Sequence, residues 1–175
     1  MTPPGLVERS LLLHGLGLTN VAVARAAVAH GVAVVASDDS SPDSASTLAH
    51  DLGIEVVLGP SAERLDALVA GVDAVVPAPG LPETHPLFAA AAAHDRPVLS
   101  EFDLAGAWDD RPVVAITGTN GKTTVTTLVT AMFERSGVRA AAVGNLETPL
   151  VEAIARDDIE VFVVEASSFR LAHSR

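Results

Sequence analysis

The chain has 175 residues, 49% of them apolar and only 3% aromatic, so any core is built mostly from Ala, Val and Leu. Such a composition suits a parallel sheet covered by helices, whose strands are apolar runs. The net charge of −11, from 22 acidic and 11 basic residues, argues against nucleic acid as the main partner, because a nucleic-acid binder needs a basic face. Cysteine is absent, which excludes disulfides, thiolate chemistry and Cys-ligated zinc. The opening "MTPPGLVERS" lacks a charged stretch followed by an apolar one, so no signal peptide is expected. No apolar run reaches the length of about 18 residues that a membrane span needs, so no membrane association is expected.

Strand and helix alternate along the chain. "SLLLH" (Ser10–His14) reads as a strand ending at glycine, and "NVAVARAAVAHG" (Asn20–Gly31) as an Ala-rich helix. "VAVVAS" (Val32–Ser37) is a second strand, "SASTLAHDLG" (Ser44–Gly53) a helix closed by glycine, and "IEVVLG" (Ile54–Gly59) a third strand. "SAERLDALVAG" (Ser61–Gly71) has Ser61 as its N-cap. "VDAVVPAPG" (Val72–Gly80) is a strand running into a Pro/Gly loop, and Pro86 starts the next helix, His85–Asp95. "PVLSEF" (Pro97–Phe102) is a fifth strand, and "AGAWDDRP" (Ala105–Pro112) reads as a linker. The alternation then restarts with "VVAIT", "KTTVTTLVTAMFERSG", "VRAAAVG", "PLVEAIARD" and "IEVFVVEAS". The expectation is α/β: a Rossmann-like parallel-sheet domain over residues 1–108, followed over 109–175 by a P-loop-type α/β domain. The second unit has only three strands and reads as truncated.

Three segments carry chemistry. "GLGLTN" (Gly15–Asn20) follows the first strand and opens a helix, as a phosphate-approaching turn does, although Asn20 stands where the dinucleotide pattern has glycine. Asp38, at the end of the second strand, is positioned to accept hydrogen bonds from a ribose or base edge. A plain tight turn accounts for that segment almost equally well. "PAPGLPETHP" (Pro77–Pro86) lies at the carboxyl end of the fourth strand, where open α/β sheets bind ligands, and also reads as a proline-stiffened loop.

"TGTNGKTT" (Thr117–Thr124) is the most specific segment. Backbone N–H groups of Asn120 to Thr123 suit phosphate oxygens, Lys122 suits the β and γ phosphates, and the Thr123 hydroxyl suits Mg²⁺. The spacing is short, because Ile116 occupies the position of the first glycine of the usual G-x-x-x-x-G-K-[ST] loop. Glu165 ends the last strand, "FVVEASSF", and is a candidate for the Mg²⁺ shell. The six histidines show no metal-ligand spacing, and His85, beside the proline loop, is the one of interest.

Together "GLGLTN", "APG" (Ala78–Gly80), "TGTNGKTT", "GN" (Gly144, Asn145) and "EASSF" (Glu165–Phe169), in this order, resemble the Mur ligase family, and within it the branch that adds D-glutamate to UDP-N-acetylmuramoyl-L-alanine. The resemblance implies a cytoplasmic, monomeric ATP-dependent amide ligase of peptidoglycan precursor synthesis. Its first domain would bind the UDP-sugar through Leu18, Thr19, Asp38, Pro79, Gly80 and Asn145. Its second would bind ATP through Gly118, Thr119, Asn120, Gly121, Lys122, Thr123 and Thr124, with Lys122 catalytic and Thr123 and Glu165 serving Mg²⁺. The substrate carboxylate would be phosphorylated, and the amine of D-glutamate would then displace phosphate. Four positions depart from the family pattern: Asp39 and Ser40 follow Asp38 where Thr-Arg is frequent, Glu147 replaces glycine, and Arg170 replaces glutamine. Family members also continue into a third domain that supplies most of the amino-acid site, so this chain by itself is not expected to catalyse ligation. Two readings from other classes stay open: a non-catalytic UDP-sugar-binding module, and a P-loop NTPase.

Overall fold

The computed structural model describes residues 10–144, 148–167 and 171. The first sheet holds four parallel strands in the order β3-β2-β1-β4, with β1 Leu11–His14, β2 Val34–Asp38, β3 Glu55–Leu58 and β4 Ala74–Pro77. The second holds three parallel strands in the order β5-β7-β6, with β5 Val113–Ile116, β6 Ala140–Gly144 and β7 Val161–Glu165. Seven helices join them among the described residues: α1 Leu18–Ala29, α2 Ser44–Leu52, α3 Ala62–Ala70, α4 Pro86–Ala93, α5 Glu101–Trp108, α6 Lys122–Arg135 and α7 Leu150–Ala153. This is the Rossmann-like α/β architecture that the alternation predicts. No helix among the described residues is long and apolar enough to cross a membrane.

The central strands are buried on both faces, which is why they read as apolar runs rather than alternations. Leu11 and Leu13 enter one core cluster and Leu12 the opposite one, where it meets Leu65, Leu68 and Val69 of α3 and Leu87 of α4. Strand β7 behaves likewise: Phe162 and Val164 join the cluster of Leu11 and Leu13, whereas Val161 and Val163 face Val129 and Phe133 of α6. One apolar cluster thus runs from the first sheet through α1, α5 and α7 to the second. The helix ends follow local chemistry. Ser61 accepts from the Arg64 N–H, as its place at an N-cap requires, and Gly53 ends α2 in the left-handed region at φ 63°.

Two expectations fail around residue 100. The fifth strand shrinks to a single bridge, Val75 to Val98, and residues 101–108 are helical. Ser100 and Asp103 form a reciprocal capping box that starts α5 inside the apolar run. The supposed linker Ala105–Pro112 therefore begins as the end of a helix. Its remainder is tied down: Arg111 pairs with Asp109, donates to the carbonyls of Ile154, Arg156 and Ile159, and lies 4.7 Å from the Phe162 ring centroid. The buried Glu101 carboxylate accepts from the Leu150 N–H, joining α5 to the start of α7. Helix α7 is shorter than "PLVEAIARD" suggests, spanning only Leu150–Ala153.

Candidate functional site

The glycine loop leaves β5 and enters α6 at the carboxyl edge of the second sheet. Gly118 has φ 149° and Gly121, the N-cap of α6, has φ 76°, values that a residue with a Cβ rarely adopts. The first intrahelical bond runs from the Val125 N–H to the Gly121 carbonyl, so the amides of the preceding turn form the positive end of α6. The Lys122 ammonium curls over the loop and donates to the carbonyls of Gly118 at 2.8 Å and Thr119 at 3.4 Å. Strand β7 lies between β5 and β6, with Glu165 in register with both Ile116 and Gly144. That order carries the Glu165 carboxylate to the start of α6, where the Thr123 hydroxyl donates to its Oε2 at 2.7 Å. Glu165 is 3% exposed. Residues 42 apart in sequence thus present a hydroxyl and a carboxylate, hard oxygen donors of the kind Mg²⁺ accepts.

At the carboxyl edge of the first sheet, Gly15 turns the chain at φ 86°, and a Cβ there would lie 2.7 Å from the Cβ of Ala78. The turn after β1 and the loop after β4 are therefore in close contact. Pro79 and Gly80 occupy the centre of a turn closed by the Leu81 N–H to the Ala78 carbonyl, with Gly80 at φ 88°, the pattern of a type II turn. Leu18 is 61% exposed in the first turn of α1, whereas the Thr19 side chain is buried. Asn20, in place of the third glycine, is 1% exposed and donates to the carbonyls of His14 and Val76, pinning β1 to β4. Its Oδ1 has no hydrogen-bond partner among the described residues. Asn145, Glu147 and Arg170 lie outside the described residues.

Asp38 has a structural task. Its Oδ2 accepts from the Leu16 N–H at 2.6 Å and its Oδ1 from the Ser40 N–H at 2.8 Å and the Ser40 hydroxyl at 2.7 Å. Three of roughly four acceptor positions are filled within the protein, leaving about one for a ligand. Burial alone would raise the Asp38 pKa, but the Leu16 and Ser40 hydrogen bonds hold it below the usual carboxylate value. Asp109 is likewise pushed up by burial and pulled further down by Arg111. A depressed folded-state pKa gives stability that is complete above the unfolded value, near 3.8, and is lost as pH falls through the folded value. Thermal melts between neutral pH and pH 3 are expected to show the midpoint falling below about pH 4. Asp38→Asn should flatten that fall, and an unchanged slope would contradict the assignment.

Comparison with known proteins bears on both edges. Residues 116–175 match the Mur ligase middle domain. The UDP-N-acetylmuramoylalanine--D-glutamate ligase of Syntrophus aciditrophicus (strain SB) is 41% identical over 166 residues, covering 92% of this chain and 36% of that protein. The enzyme of the same name from Desulfatibacillum aliphaticivorans is 38% identical over 170 residues, 95% of this chain and 37% of that one. The chain thus spans a little over a third of the length of these curated relatives. Among solved structures, a pseudomurein peptide ligase type C from Methanothermus fervidus superposes with a TM-score of 0.55 at 24% identity, over 92% of this chain and 33% of that one. A UDP-N-acetylmuramate:L-alanyl-gamma-D-glutamyl-meso-diaminopimelate ligase from Neisseria meningitides gives 0.56 at 20%, over 93% and 55%. At these identities the two structures speak to the fold alone.

Proposed function

We propose, from the premise that this chain belongs to the Mur ligase family, that it is the UDP-sugar-binding and ATP-binding front of an ATP-dependent ligase that joins D-glutamate to UDP-N-acetylmuramoyl-L-alanine in cytoplasmic peptidoglycan precursor synthesis. The observation that carries the reading is the 2.7 Å bond between Thr123 and Glu165 beside the Gly118–Thr124 loop. It supports a nucleotide site with a hard-cation corner rather than a structural turn that happens to contain lysine.

In this reading residues 1–108 hold the UDP-sugar and residues 109–175 begin the ATP-binding domain. The α6 amides and the Lys122 ammonium take the ATP phosphates, and Thr123 and Glu165 are the residues that would hold Mg²⁺. Bound Mg²⁺ would supply charge neutralisation at the phosphate oxygens. The oxygen of the substrate carboxylate attacks the γ-phosphorus, ADP leaves, and an acyl phosphate results. The D-glutamate amine then attacks the acyl carbon, phosphate departs, and an amide forms. This chain's residues act by alignment and by positive charge on the transferring group. The turns at Gly15–Thr19 and Ala78–Leu81, which touch through Gly15 and Ala78, form the edge offered to the UDP-sugar.

A thermal-shift panel tests this. The chain is melted alone and with Mg-ATP, UDP, UDP-N-acetylmuramoyl-L-alanine and a folate. A ligand at 100 times its dissociation constant adds about 2.7 kcal/mol. Stabilisation by Mg-ATP and the UDP compounds, but not by the folate, is expected. A cooperative melt that ignores UDP compounds overturns the substrate assignment, and one that ignores Mg-ATP overturns the loop assignment.

A further inference from the structure

The histidines have no metal-ligand spacing along the chain, yet the fold gathers two of them with a carboxylate. His14 ends β1, Asp39 follows β2, and His85 is the N-cap of α4. One ligating atom from each lies within 4.8 Å of the other two. Asp39 Oδ2 is 3.0 Å from His85 Nε2, and its Oδ1 is 3.6 Å from His14 Nε2. The imidazole rings sit 4.6 Å apart, tilted by 36°. We propose that His14, Asp39 and His85 form a binding site for a divalent transition cation of the zinc class, separate from the nucleotide loop.

Two imidazoles and one carboxylate are a donor set for such ions, as opposed to the all-oxygen shell preferred by magnesium or calcium. Bonds of about 2 Å in tetrahedral geometry place ligand atoms roughly 3.3 Å apart, so the carboxylate-to-imidazole spacings of 3.0 and 3.6 Å bracket that value and each needs only a small adjustment. Asp39 is able to make that adjustment, because its side chain is 59% exposed and, among the described residues, only the two histidine contacts hold it.

The anchor is His14, which is 1% exposed. Its Nδ1 lies 2.8 Å from the hydroxyl of the fully buried Ser37. When Nδ1 donates to that hydroxyl, Nε2 keeps its lone pair toward Asp39, the arrangement in which an outer partner sets the tautomer of a metal-binding histidine. His85 needs a rearrangement. The Leu87 N–H donates to its Nδ1 at 3.2 Å, which leaves the ring proton on Nε2, facing Asp39. Coordination through Nε2 moves that proton to Nδ1 and gives up the long cap bond, with no net proton released from the ring. Three protein ligands leave a fourth position for water or for an oxygen of an anionic ligand. The His-Asp-His set flanks Asp38, so a cation there would sit at the edge of the first sheet beside the Gly15 turn.

Cobalt(II) is the probe, because its visible absorption reports low coordination number, and zinc competition reports the class of site. The full chain is titrated with Co²⁺, followed by Zn²⁺. The expected result is one Co²⁺ per chain, a low-coordinate spectrum and displacement by Zn²⁺. Asp39→Ala and His85→Asn should each weaken binding by at least roughly ten-fold. Asparagine is used at 85 because it still caps α4, and Asp39 is exposed, so both variants keep the fold. His94→Ala, which removes a surface histidine paired with Asp66, should change nothing. Absence of stoichiometric binding, or binding that ignores Asp39→Ala and His85→Asn, overturns the proposal. So does binding lost in His94→Ala.

Discussion

Replacing Lys122 with alanine is expected to weaken Mg-ATP binding by roughly 10- to 100-fold while leaving the stability of the unliganded chain nearly unchanged. The two halves of this expectation have different causes. Among the described residues the ammonium donates only to the carbonyls of Gly118 and Thr119, and both bonds are solvent-exposed. Exposed hydrogen bonds of this kind are exchanged for bonds to water at little net cost. Toward phosphate the same group has far more to do. It is the sole cationic side chain in the loop Gly118–Thr124 of a chain whose net charge is −11. Hydrogen bonds to charged groups contribute about 1.5–3 kcal/mol each, which converts to that loss of affinity. Arginine is not expected to rescue it, because its broad planar fork does not fit a place held by a compact ammonium folded against two carbonyls. Calorimetric titration with Mg-ATP, set beside melts of the unliganded variants, separates the cases. Equal affinity in wild type and Lys122→Ala would remove the loop from the site. A large loss of stability without ligand would make Lys122 structural instead.

Much of this site is legible locally and the rest depends on strand order. The loop Thr117–Thr124 announces itself because its glycines, lysine and threonines answer to backbone geometry within eight residues. Strands β1 and β4 are equally plain, because burial on both faces leaves apolar runs. The partnership of Thr123 with Glu165 is different. It exists because β7 inserts between β5 and β6, and sequence proximity says nothing about that order. The same holds for His14, Asp39 and His85, drawn from three elements and visible as a group only once the β3-β2-β1-β4 order is known. Asn20 reads as a broken glycine fingerprint until its amide is seen to tie the ends of β1 and β4. The start of α5 was within reach: "SEFD" contains a capping box. The apolar "PVL" before it makes the segment read as strand, and the fold keeps only the Val75–Val98 bridge of that strand.

Gly144→Ala is expected to be the most damaging small substitution in the second sheet, destabilising the chain by about 4 kcal/mol. Gly144 ends β6 at φ 101°, where a Cβ costs about 1–3 kcal/mol in backbone strain. The added carbon would also lie 2.5 Å from the Glu165 carbonyl oxygen, 3.2 Å from its carbonyl carbon and 3.0 Å from the Val164 Cγ1. Two of those three atoms are backbone in the central strand, so they cannot rotate away as a side chain does. Overpacking adds about 1–3 kcal/mol. Relief requires the end of β6 to move from β7, and the register pairing Gly144 with Glu165 is what holds the carboxylate at Thr123. Gly137→Ala is the matched control. It has φ 82° but no atom within 4 Å of the added carbon, so it carries backbone strain alone. Urea unfolding of the two variants should show a midpoint shift for Gly144→Ala two- to four-fold that of Gly137→Ala, with unchanged slope. Residual folded Gly144→Ala should also lose stabilisation by Mg-ATP, whereas Gly137→Ala should keep it. Equal midpoints would mean that β6 has slack against β7, and the placement of Glu165 would then owe nothing to the missing side chain at 144.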